Sequence, residues 1–376
     1  MCKPIRVLHV FGVMNRGGAE TFIMNIYRNL DRKKIQFDFA VESGFQGDYD
    51  DEIRQLGGNI YVVSKPDRKN VTKYYFALEN ILINKGPFAA IHSHVHFFSG
   101  IVLAIAKKNN VPIRIAHSHT TKDDRKTSFP RWLYKYTMRK LISFNSTEMV
   151  GCSKPSCISL YGGKNVTKGN TRIIPNGIEI KKYNIEEEKI RFIKSKIGIS
   201  EDAIVFGHIG RFEKVKNHKF ILKVFMEIKR KMPKSILLLV GKGNLKGEIE
   251  TFVKINNLGE SVLFLGLRDD IPEIINVFDV FLFPSLYEGL GIVLIEAQAA
   301  GIPSICSDTV PLEVDLNLGL LRFISLNCPV EDWCNGILSQ INSKKISWTE
   351  RSKALQNEGY DISKSKTILH SIYLGS

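Results

Sequence analysis

The chain has 376 residues, of which 44% are hydrophobic and 24% charged, as in a globular protein large enough for two domains with separate cores. No apolar run approaches the roughly 20 residues that span a bilayer, and the apolar segment near Met1, which His9 interrupts, is not expected to be a signal peptide. The formal net charge of +15 points to an acidic partner, either nucleic acid, an anionic membrane surface or acidic small molecules, and charge alone does not choose among them.

The cysteines of the chain show no paired CxxC spacing. The six are Cys2, Cys152, Cys157, Cys306, Cys328 and Cys334. We expect them to be reduced, buried thiols of a cytosolic protein.

In the first half of the chain, apolar strand-like runs alternate with helical patterns. The predicted strands cover residues 5–11, 37–41, 60–63, 89–91, 113–116, 148–151 and 172–174. The predicted helices cover residues 19–30, 71–82, 100–108 and 132–142. This alternation is typical of an open parallel sheet with helices on both faces.

The pattern pauses at Pro175-Asn-Gly-Ile and at the polar stretch 179–184, which we expect to be a linker. It then restarts, with strands predicted at 204–209, 236–240, 262–265, 280–283 and 304–306. Helices are predicted over 220–231, 292–300 and 362–374. We therefore expect two Rossmann-like domains, over 1–178 and 179–360, that share an architecture without repeating a sequence.

One stretch of the second half combines a strand, a glycine-containing loop and a helix start. The wholly apolar run 280–283 suits a strand buried on both faces, and a helix is predicted to begin at Ile292. Such a turn aims free backbone N–H groups and a positive helix end at one point, where a phosphate is the most natural ligand. The backbone candidates are Gly289, Leu290, Gly291, Ile292 and Val293.

Two carboxylates bracket this loop, Glu288 before it and Glu296 within the helix. Carboxylates bind sugar hydroxyls well, because they accept two parallel hydrogen bonds. Phosphate in the middle with polyols on either side is the layout of a nucleotide-sugar. The alternative is a buried strand–helix unit with two solvated glutamates, since first helical turns favour Glu in any case.

A second glycine loop lies where the first strand leads into the first helix. The backbone at Gly17 and Gly18 could approach a diphosphate or an acceptor closely. A dinucleotide fingerprint is the alternative, and Glu42 at the end of the second strand could then be the ribose-binding acid of a dehydrogenase. The spacing GxGxxG is absent, because the glycines fall at 12, 17 and 18.

Histidines cluster at the ends of two predicted strands. They are His92, His94 and His96, followed by His117 and His119. Alternation places each set on one side of its strand, and HxH pairs can bind zinc. A metal site would also want carboxylates, for which Asp123–Asp124 is the nearby candidate. For the first three histidines, we favour a structural, hydrogen-bonded role.

Basic residues follow the first strand of the second half. Arg211 and Lys216, after Gly210, could stabilise the negative charge that develops on a leaving diphosphate. The alternative is two ordinary surface cations. The glycine loops Gly241-Lys-Gly243 and Gly266-Leu267 are candidates for base recognition through backbone groups.

The tripeptide Asp48-Tyr-Asp50 has a DxD form that can hold a metal where it ends an apolar strand, but a polar, glycine-containing stretch precedes it, so we expect a loop. The segment 122–140 is both basic and aromatic. Its residues of these kinds are Lys122, Arg125, Lys126, Phe129, Arg131, Trp132, Tyr134, Lys135, Tyr136, Arg139 and Lys140. Such a segment suits an anionic membrane surface, a nucleic-acid groove or a solvated helix face, and our hypothesis is membrane contact.

Several of these motifs together resemble one family. The segment from Glu288 to Glu296 resembles the E-x7-E signature of retaining glycosyltransferases of the GT-B fold, family four. The counterparts of other family motifs are Ala297–Pro303, Gly17-Gly-Ala-Glu20, Ala116-His-Ser-His119 and Gly210-Arg211 with Lys216. The likeness covers nearly the whole chain and is closest to EpsF-like transferases of bacterial exopolysaccharide or capsule synthesis. Gly291 stands where close relatives often have Pro or Phe.

The resemblance implies an α/β protein of the GT-B fold, with two Rossmann-like parallel-sheet domains facing each other across a cleft. The first domain would be the acceptor side and the second would bind the nucleotide-sugar. A helix within 361–376 would pack back on the first domain. The implied reaction moves a hexosyl or N-acetylhexosaminyl group from a nucleotide-sugar, with a UDP-sugar favoured, to an acceptor hydroxyl. Configuration would be retained, and neither a cofactor nor a metal would be needed.

The resemblance also implies roles for single residues. His117, with His119 as a second candidate, would approach the donor sugar. Arg211 and Lys216 would stabilise the leaving phosphate, Glu288 would orient sugar hydroxyls and Glu296 would hold the ribose. The backbone of residues 289–293 would cap the diphosphate, and Gly17, Gly18, Gly210, Gly241 and Leu267 would also line the donor site.

The expected partners are a nucleotide-sugar donor, a glycan or lipid-linked acceptor and an anionic membrane surface, without nucleic acid. The protein would then act in the cytoplasm or peripherally on the inner face of the membrane. Two other classes stay open at this point, an NAD-dependent oxidoreductase and a basic nucleic-acid-binding protein.

Overall fold

A computed structural model describes residues 3–63, 70–121, 128–341 and 345–375 of the chain. It divides into two compact units. The first unit consists of Met1–Ile178 and Asp361–Ser376, and the second consists of Glu179–Tyr360. The chain thus leaves the first unit once and returns to it for its last segment.

The first unit is built on a parallel sheet that has seven strands among the described residues, in the order β3-β2-β1-β4-β5-β6-β7. The strands are β1 (Ile5–Phe11), β2 (Ile35–Val41), β3 (Ile60–Val62), β4 (Ala90–Ser93), β5 (Ile113–Ser118), β6 (Glu148–Gly151) and β7 (Arg172–Ile173). Strands β1, β2 and β4 are almost wholly buried, as expected of a sheet covered by helices on both faces.

Helices cover both faces of this sheet. They are α1 (Gly18–Asn29), α2 (Asp50–Gln55), α3 (Val71–Asn84), α4 (Ser99–Lys108), α5 (Phe129–Asn145), α6 (Lys154–Tyr161), α7 (Gly163–Thr167) and, from the end of the chain, α15 (Ile362–Leu374). On one face, α1 and α15 pack together over a core that includes Phe37, Leu369 and Tyr373. Helices α3 and α4 cover the other face, so burial of both faces accounts for the apolar strands.

The second unit repeats the same architecture on a parallel sheet with six strands among the described residues, in the order β10-β9-β8-β11-β12-β13. These strands are β8 (Ile204–Ile209), β9 (Ser235–Val240), β10 (Val262–Gly266), β11 (Val280–Phe283), β12 (Ser304–Ser307) and β13 (Leu321–Ile324). The helices are α8 (Glu187–Lys196), α9 (His218–Lys231), α10 (Lys246–Ile255), α11 (Ile271–Ile275), α12 (Ile292–Ala300), α13 (Val330–Ile341) and α14 (Trp348–Asn357).

Each sheet reverses its strand order beside its first strand. In the first unit this point lies between β1 and β4, where His9 and His92 are register partners. In the second unit it lies between β8 and β11. Ligands of open parallel sheets bind beyond the carboxyl ends of the strands at such a reversal, so these two edges are where functional groups are expected.

Two local predictions were wrong. The stretch 179–184 is not a plain linker, because it holds the 3-10 helix Ile180–Tyr183 with the side chains of Ile180 and Tyr183 buried within the second unit. His96 does not continue the alternation of His92 and His94, because its backbone turns into a left-handed conformation (φ 52°) at the start of the 3-10 helix His96–Phe98.

The remaining sequence predictions that concern burial and membrane crossing have mixed outcomes. Of the cysteines, Cys152, Cys157, Cys306 and Cys334 are buried free thiols, Cys328 is a partly exposed free thiol, and Cys2 lies outside the described residues. Within the described parts of the chain, no helix combines the length and the apolar character that a membrane crossing requires.

Candidate functional site

The centre of the second unit's candidate site is an ion pair between Lys216 and Glu288. The Lys216 Nζ atom lies 2.6 Å from Glu288 Oε1, and the two side chains are only 15% and 12% exposed. The same ammonium group lies 4.7 Å from the ring centroid of Phe283, the last residue of β11. The fold therefore brings together a predicted phosphate-binding cation and a predicted sugar-binding carboxylate that are far apart in sequence.

Two hydrogen bonds hold the loops that carry this ion pair. The backbone N–H of Leu286 donates to the carbonyl of Val215 at 2.8 Å, and the Asn217 side-chain amide donates to the carbonyl of Pro284 at 3.2 Å. Asn217 adopts the left-handed conformation (φ 54°) at the N-cap position of α9. Among residues other than glycine, Asn adopts this conformation at a comparatively small cost in conformational free energy. The loop after β8 is thereby fixed against the loop after β11.

Arg211 stands apart from this pair. Its side chain is exposed and forms an ion pair with Glu213, with Nη1 and Oε1 3.0 Å apart. The two predicted phosphate-binding cations are thus associated with different carboxylates. An exposed pair of this kind contributes little to stability, so Arg211 is free in energetic terms to reorient toward an anion.

Three glycine loops line the edge of the sheet beside Lys216. The N–H of Gly210 donates to the carbonyl of Val240 at 2.9 Å, and the N–H of Gly241 donates to the carbonyl of Gly266 at 2.8 Å. Gly241 has a φ of 138°, and a Cβ there would overlap the carbonyl oxygen of Gly210, so both its conformation and its neighbour require glycine. Leu267, which follows Gly266, is 38% exposed at this edge.

The helix after β11 begins as the sequence predicts. Gly291 caps α12 in the left-handed conformation (φ 85°), and no side chain caps the first turn. A Cβ on Gly291 would lie 3.4 Å from Phe283, the residue that also contacts Lys216. Leu290 and Val293 are buried, while Gly291 and Ile292 are partly exposed, so the backbone N–H groups at this helix start form an anion-binding arrangement near the ion pair.

Glu296 lies one turn into α12 and accepts a hydrogen bond from the hydroxyl of Tyr183, 2.7 Å from Oε1. Loss of hydration raises the pKa of Glu296 to about 7, and the Tyr183 hydrogen bond only partly offsets this rise. Burial and the neighbouring carboxyl group together raise the pKa of Tyr183 well above its usual value, so its hydroxyl stays a donor. Glu296 therefore changes charge within the physiological pH range.

Two further buried histidines, His208 on β8 and His218 on α9, stand behind the loop of Lys216. Their rings meet edge to face with centroids 4.8 Å apart, and His208 Nδ1 is hydrogen bonded to the carbonyl of Leu282. Burial lowers the pKa of His218 to about 4 and that of His208 well below its usual value. Both are therefore neutral, and the sequence analysis did not single them out as candidates.

In the first unit, Gly17 caps α1 and Gly18 is its first residue. The Glu20 carboxylate lies so close to Gly17 that a Cβ there would overlap it. The nearby Asp48 accepts a hydrogen bond from the Arg16 N–H at 3.1 Å, and Asp50 begins α2 instead of ending a strand. The DxD tripeptide therefore does not have the position after an apolar strand that the metal-binding motif requires.

Five imidazoles lie together where β1, β4 and β5 end in the first unit. They belong to His9, His92, His94, His117 and His119. The sequence pattern predicted that His92 and His94 share one side of their strand and that His117 and His119 share one side of theirs, and this is confirmed by the ring contacts. His9 joins them because β1 lies beside β4.

The imidazoles form two hydrogen-bonded chains. In the first, the Tyr373 hydroxyl lies 2.7 Å from His92 Nδ1, and His92 Nε2 lies 3.0 Å from His117 Nδ1. In the second, His9 Nδ1 lies 3.1 Å from His94 Nε2, and His94 Nδ1 lies 2.8 Å from His119 Nε2. Among the described residues, the outer nitrogens of both chains, His117 Nε2, His119 Nδ1 and His9 Nε2, are buried without a hydrogen-bond partner.

All five of these histidines are neutral, because burial without a carboxylate partner disfavours the charged form. Burial lowers the pKa of His9 and of His119 to about 3. Burial and the neighbouring imidazoles lower the pKa values of His92, His94 and His117 well below the usual range.

Two overlapping triplets of these histidines could offer nitrogens to a metal ion, namely His9, His92 and His94, and His94, His117 and His119, with the atoms of each within 4.8 Å. Zinc–nitrogen bonds of about 2.0–2.1 Å at tetrahedral angles hold ligand nitrogens roughly 3.4 Å apart. The paired nitrogens here are closer, for example 3.0 Å between His92 Nε2 and His117 Nδ1, which is a direct hydrogen-bond distance. Hydrogen-bonded imidazoles describe this geometry better than a metal site, and the candidate carboxylates Asp123 and Asp124 lie outside the described residues.

Helix α5 presents the described part of the basic, aromatic segment. Phe129, Trp132 and Tyr136 are 74%, 54% and 51% exposed and stack in sequence along the helix. Lys140 lies over the Tyr136 ring at 5.7 Å. The predicted residues Lys122, Arg125 and Lys126 lie outside the described part of the chain.

The fold therefore gathers Gly210, Lys216, Gly241, Leu267, Glu288, Glu296 and the start of α12 in the second unit, and Gly17, Gly18 and His117 belong to the first unit. The sequence analysis missed Tyr183 and Tyr373 as partners of candidate residues, and it mentioned His9 only as an interruption of an apolar run. For His9, its place on the first predicted strand of the parallel sheet, residues 5–11, was an available signal. For the two tyrosines, no local motif marks the contact.

Comparisons with known proteins match both units. The family described as "Glycosyltransferase Family 4" matches residues 16–182, and the family described as "Glycosyl transferases group 1" matches residues 189–319. The protein named EpsF of Bacillus subtilis (strain 168) is 37% identical to this chain over 98% of this chain and 96% of its own length.

Two further comparisons extend this likeness. A UDP-Gal:alpha-D-GlcNAc-diphosphoundecaprenol alpha-1,3-galactosyltransferase of Escherichia coli is 26% identical over 90% of this chain and 85% of its own length. Among solved structures, Anabaena HepE in complex with UDP and glucose matches 99% of this chain and 100% of its own with a TM-score of 0.77 at 16% identity. The last comparison shows that the fold is of the GT-B class.

Proposed function

Because the chain belongs to the group 1 glycosyltransferases of family four, we propose that it transfers a hexosyl or N-acetylhexosaminyl group from a UDP-sugar to an acceptor hydroxyl with retention of configuration. The observation that carries this proposal is the Lys216–Glu288 ion pair beside the uncapped start of α12. It places a cation, backbone donors and a hydroxyl-binding carboxylate together, as the diphosphate and sugar of a donor require.

The second unit would bind the diphosphate. As the bond from the sugar C1 to the diphosphate oxygen breaks, negative charge grows on the leaving phosphate, and fixed cations lower that barrier. Lys216 would move from Glu288 to the phosphate when the donor arrives, and Arg211 would leave Glu213 for the same reason. The N–H groups at the start of α12 would hold the diphosphate without a metal ion.

The two glutamates would bind hydroxyls on opposite sides of that diphosphate. Glu288, released from Lys216, would orient the hydroxyls of the transferred sugar. Glu296 would accept hydrogen bonds from the ribose while Tyr183 keeps its carboxylate in place. Gly210, Gly241 and Leu267 would leave room for the base and ribose, because the glycines bring only backbone to this edge.

Retention is explained by displacement on one face of the sugar. The acceptor oxygen would form its bond to C1 on the face from which the diphosphate leaves, and the acceptor proton would pass to the leaving phosphate oxygen. The first unit would contribute His117, whose buried Nε2 atom has no partner among the described residues, to the donor sugar. The backbone at Gly17 and Gly18 would approach the acceptor or the diphosphate.

The nature of the donor and acceptor is supported by relatives. HepE was solved with UDP and glucose, and the name of the E. coli relative describes a UDP-sugar and a diphosphoundecaprenol-linked acceptor. We extend these properties to this chain as a UDP-sugar donor and a lipid-linked glycan acceptor in exopolysaccharide or capsule synthesis. This assignment accounts for the basic charge by acidic donors and an anionic membrane instead of nucleic acid.

Helix α5 would hold the enzyme at the inner face of the membrane. Its stacked aromatic residues Phe129, Trp132 and Tyr136 are exposed to solvent, and Lys140 lies beside them. Aromatic rings favour the lipid interface, while lysine and arginine are attracted to anionic headgroups. A lipid-linked acceptor would be reached from this position.

The donor assignment is tested by thermal shift with UDP, GDP, their common sugar conjugates, NAD and a short DNA duplex, without added metal and with EDTA. We expect stabilisation by a UDP compound that is lost in Lys216→Met. Lys219→Met is the matched control, because it removes a cation from an exposed ion pair between Lys219 on α9 and Glu248 on α10. A shift with NAD or DNA alone would refute the transferase proposal.

The membrane assignment is tested by flotation with vesicles of neutral lipid with and without phosphatidylglycerol. We expect binding to the anionic vesicles, weakened by salt and lost in Trp132→Ala. Phe76→Ala is the control, since Phe76 is also an exposed aromatic residue of the first unit but lies on α3. Equal binding by the two variants would eliminate α5 as the contact.

A further inference from the structure

The first histidine chain has an anchored end, and the second does not. Tyr373 is buried, and His92 Nδ1 is the hydrogen-bond partner of its hydroxyl in the described part of the chain. A phenol has a single proton to donate. One N–H or O–H is left without an acceptor in either direction, so the strength of the Tyr373–His92 bond decides between them. A phenol O–H is a stronger donor than a neutral imidazole N–H, and an imidazole nitrogen is a better acceptor than a phenol oxygen, so donation from Tyr373 to His92 Nδ1 is favoured.

This preference at Tyr373 sets the direction of the whole first chain. When Tyr373 donates to His92 Nδ1, the neutral His92 must carry its proton on Nε2. That N–H then donates to His117 Nδ1, 3.0 Å away. A neutral His117 whose Nδ1 accepts must in turn carry its proton on Nε2, the buried atom that has no partner among the described residues.

We propose that Tyr373 and His92 are positioning residues that hold His117 as the Nε2–H tautomer and so make its free ring atom a hydrogen-bond donor. Burial supports this reading, because it keeps both histidines neutral, and a neutral imidazole has one donor and one acceptor nitrogen. The inference rests on the proposed function only for the role of His117 toward the donor sugar. The tautomer itself is a property of the protein without substrate.

The second chain provides the contrast. It runs from His9 through His94 to His119, and both outer nitrogens lack a partner among the described residues. No hydroxyl or carbonyl at either end favours one direction in that part of the chain. Its three imidazoles are therefore expected to exchange between two tautomeric arrangements, whereas the first chain has one.

The first hydrogen-bonded chain gives helix α15 a role beyond packing in the core of the first unit. Tyr373 lies near the end of α15, 281 positions after its partner His92. Its ring packs edge to face on Phe37, so the hydroxyl is held by the core. Through Tyr373, helix α15 thus determines which ring nitrogens of His92 and His117 carry the proton.

The tautomers are measured by two-bond proton–nitrogen correlation spectra of the full-length protein labelled with ring-¹⁵N histidine, at neutral pH and without donor. Single-site histidine variants assign the signals. We expect His117 and His92 to show the Nε2–H pattern, and Tyr373→Phe to convert both to averaged or Nδ1–H patterns while His94 and His119 stay unchanged. An Nδ1–H pattern for His117 in the wild type, or no change in Tyr373→Phe, would overturn the proposal.

Tyr27→Phe is the matched control for loss of a buried hydroxyl. Tyr27 belongs to the same core and stacks on Phe37, but its hydroxyl bonds to Gln36 and the Leu56 carbonyl instead of a histidine. We expect this variant to lose stability without altering the histidine spectra. A change of the His117 tautomer in Tyr27→Phe would show that the spectra respond to general loosening and would refute a specific role of Tyr373.

Turnover gives a second readout. His92→Gln keeps an N–H donor at the position of Nε2, whereas His92→Leu has none, so we expect kcat to fall about tenfold or more in the Leu variant and to be largely kept in the Gln variant. KM for the donor should change little in either, because His92 does not reach the substrate. If the tautomers behave as expected but no UDP-sugar is used, the proposed function fails and the tautomer inference stands. If both substitutions lower kcat equally, the donor role of His92 is wrong.

Discussion

In the first unit, the strand ends carry five neutral imidazoles that are hydrogen bonded in two chains, with His9, His92 and His117 buried and His94 and His119 partly buried. In the second unit, the corresponding edge carries Lys216 paired with Glu288, and Glu296 held by Tyr183. The two units share a sheet architecture and a reversal of strand order, yet the histidine cluster of the first unit is neutral and the cluster of the second unit is built around an ion pair.

Under the proposed function, this difference would suit the two units to different parts of the group transfer. A diphosphate carries charge throughout the reaction, so the unit that binds it needs groups that stay charged and can exchange an internal partner for the ligand. Neutral donors and acceptors of fixed direction, as proposed for the chain from Tyr373 to His117, can instead distinguish positions on an uncharged sugar. Three experiments test this contrast, in order of expected effect.

The largest effect is expected from acid. Each of the five histidines of the first unit has a folded pKa below the value of 6.5 for an unfolded histidine, so the unfolded chain binds more protons and stability is lost as pH falls. Between pH 7 and pH 5.5, the free energy of unfolding falls by about 1.3 kcal/mol per histidine, and by at most about 6 kcal/mol for the first unit. Hydrogen exchange followed by mass spectrometry measures the loss in each unit.

The second unit should be much less sensitive. Over the same pH interval, its two histidines His208 and His218 together lower the free energy of unfolding by about 2.5 kcal/mol. Glu296 acts in the opposite direction, because its folded pKa of about 7 lies above its unfolded value of 4.5 and protonation therefore favours the folded state by about 1.6 kcal/mol. Equal acid sensitivity of the two units would contradict the contrast between a neutral and a charged edge.

The next effect concerns the charged edge. Lys216→Met keeps most of the side-chain volume but removes the cation that would face the leaving phosphate, and we expect kcat to fall about 10²–10³-fold. Arg211→Met should lower kcat by a smaller factor, because Arg211 is exposed and paired with Glu213. The measurement is steady-state turnover of the UDP-sugar identified by thermal shift, with Lys219→Met expected to match the wild type. Wild-type turnover in Lys216→Met would remove Lys216 from the mechanism.

The smallest of the three effects concerns Glu296. If its carboxylate must be ionised to accept from the ribose, donor affinity should fall about tenfold from pH 8 to pH 6, because the pKa is about 7. Calorimetric titration with a UDP-sugar measures this, since neither of its phosphates titrates in that range. Glu296→Gln should bind more weakly at pH 8 and lose the pH dependence.

Tyr183→Phe sharpens the same test. Its hydroxyl lowers the pKa of Glu296, so removing it should raise that pKa and move the pH dependence upward. Glu288→Gln should keep the pH dependence of the wild type. If Glu296→Gln retained it as well, another group would be responsible.

Much of the fold followed from the sequence pattern. The strands Ile5–Phe11 and Val280–Phe283 and the helices Ile292–Ala300 and Ile362–Leu374 begin and end where the pattern predicts. The periodicity of apolar residues and the glycine or proline residues at element boundaries are local signals, so they can be recognised in the sequence without a structure. Helix α5 was predicted too short, because its first turn, at Phe129 and Pro130, carries exposed residues without an apolar period.

The partners of the candidate residues could not be found in the same way. Lys216 and Glu288 were each singled out, but their ion pair joins residues 72 positions apart and depends on the alignment of β8 with β11. Tyr183 was taken for part of a linker, and it contacts Glu296 across 113 positions. A tyrosine carries no local signature of such a contact, since its ring is explained equally well by burial in a core.

The return of the chain to the first unit sets a rule for building chimeras. Helix α15 supplies Ile362, Leu369, Ile372 and Tyr373 to the core of the first unit, so that unit is assembled from two separate stretches of the gene. Exchange of the second unit between relatives therefore needs two splice points, after Ile178 and before Asp361. A chimera joined at one point would give α15 of one parent to the sheet of the other. His92 would then meet whatever residue that parent carries in place of Tyr373.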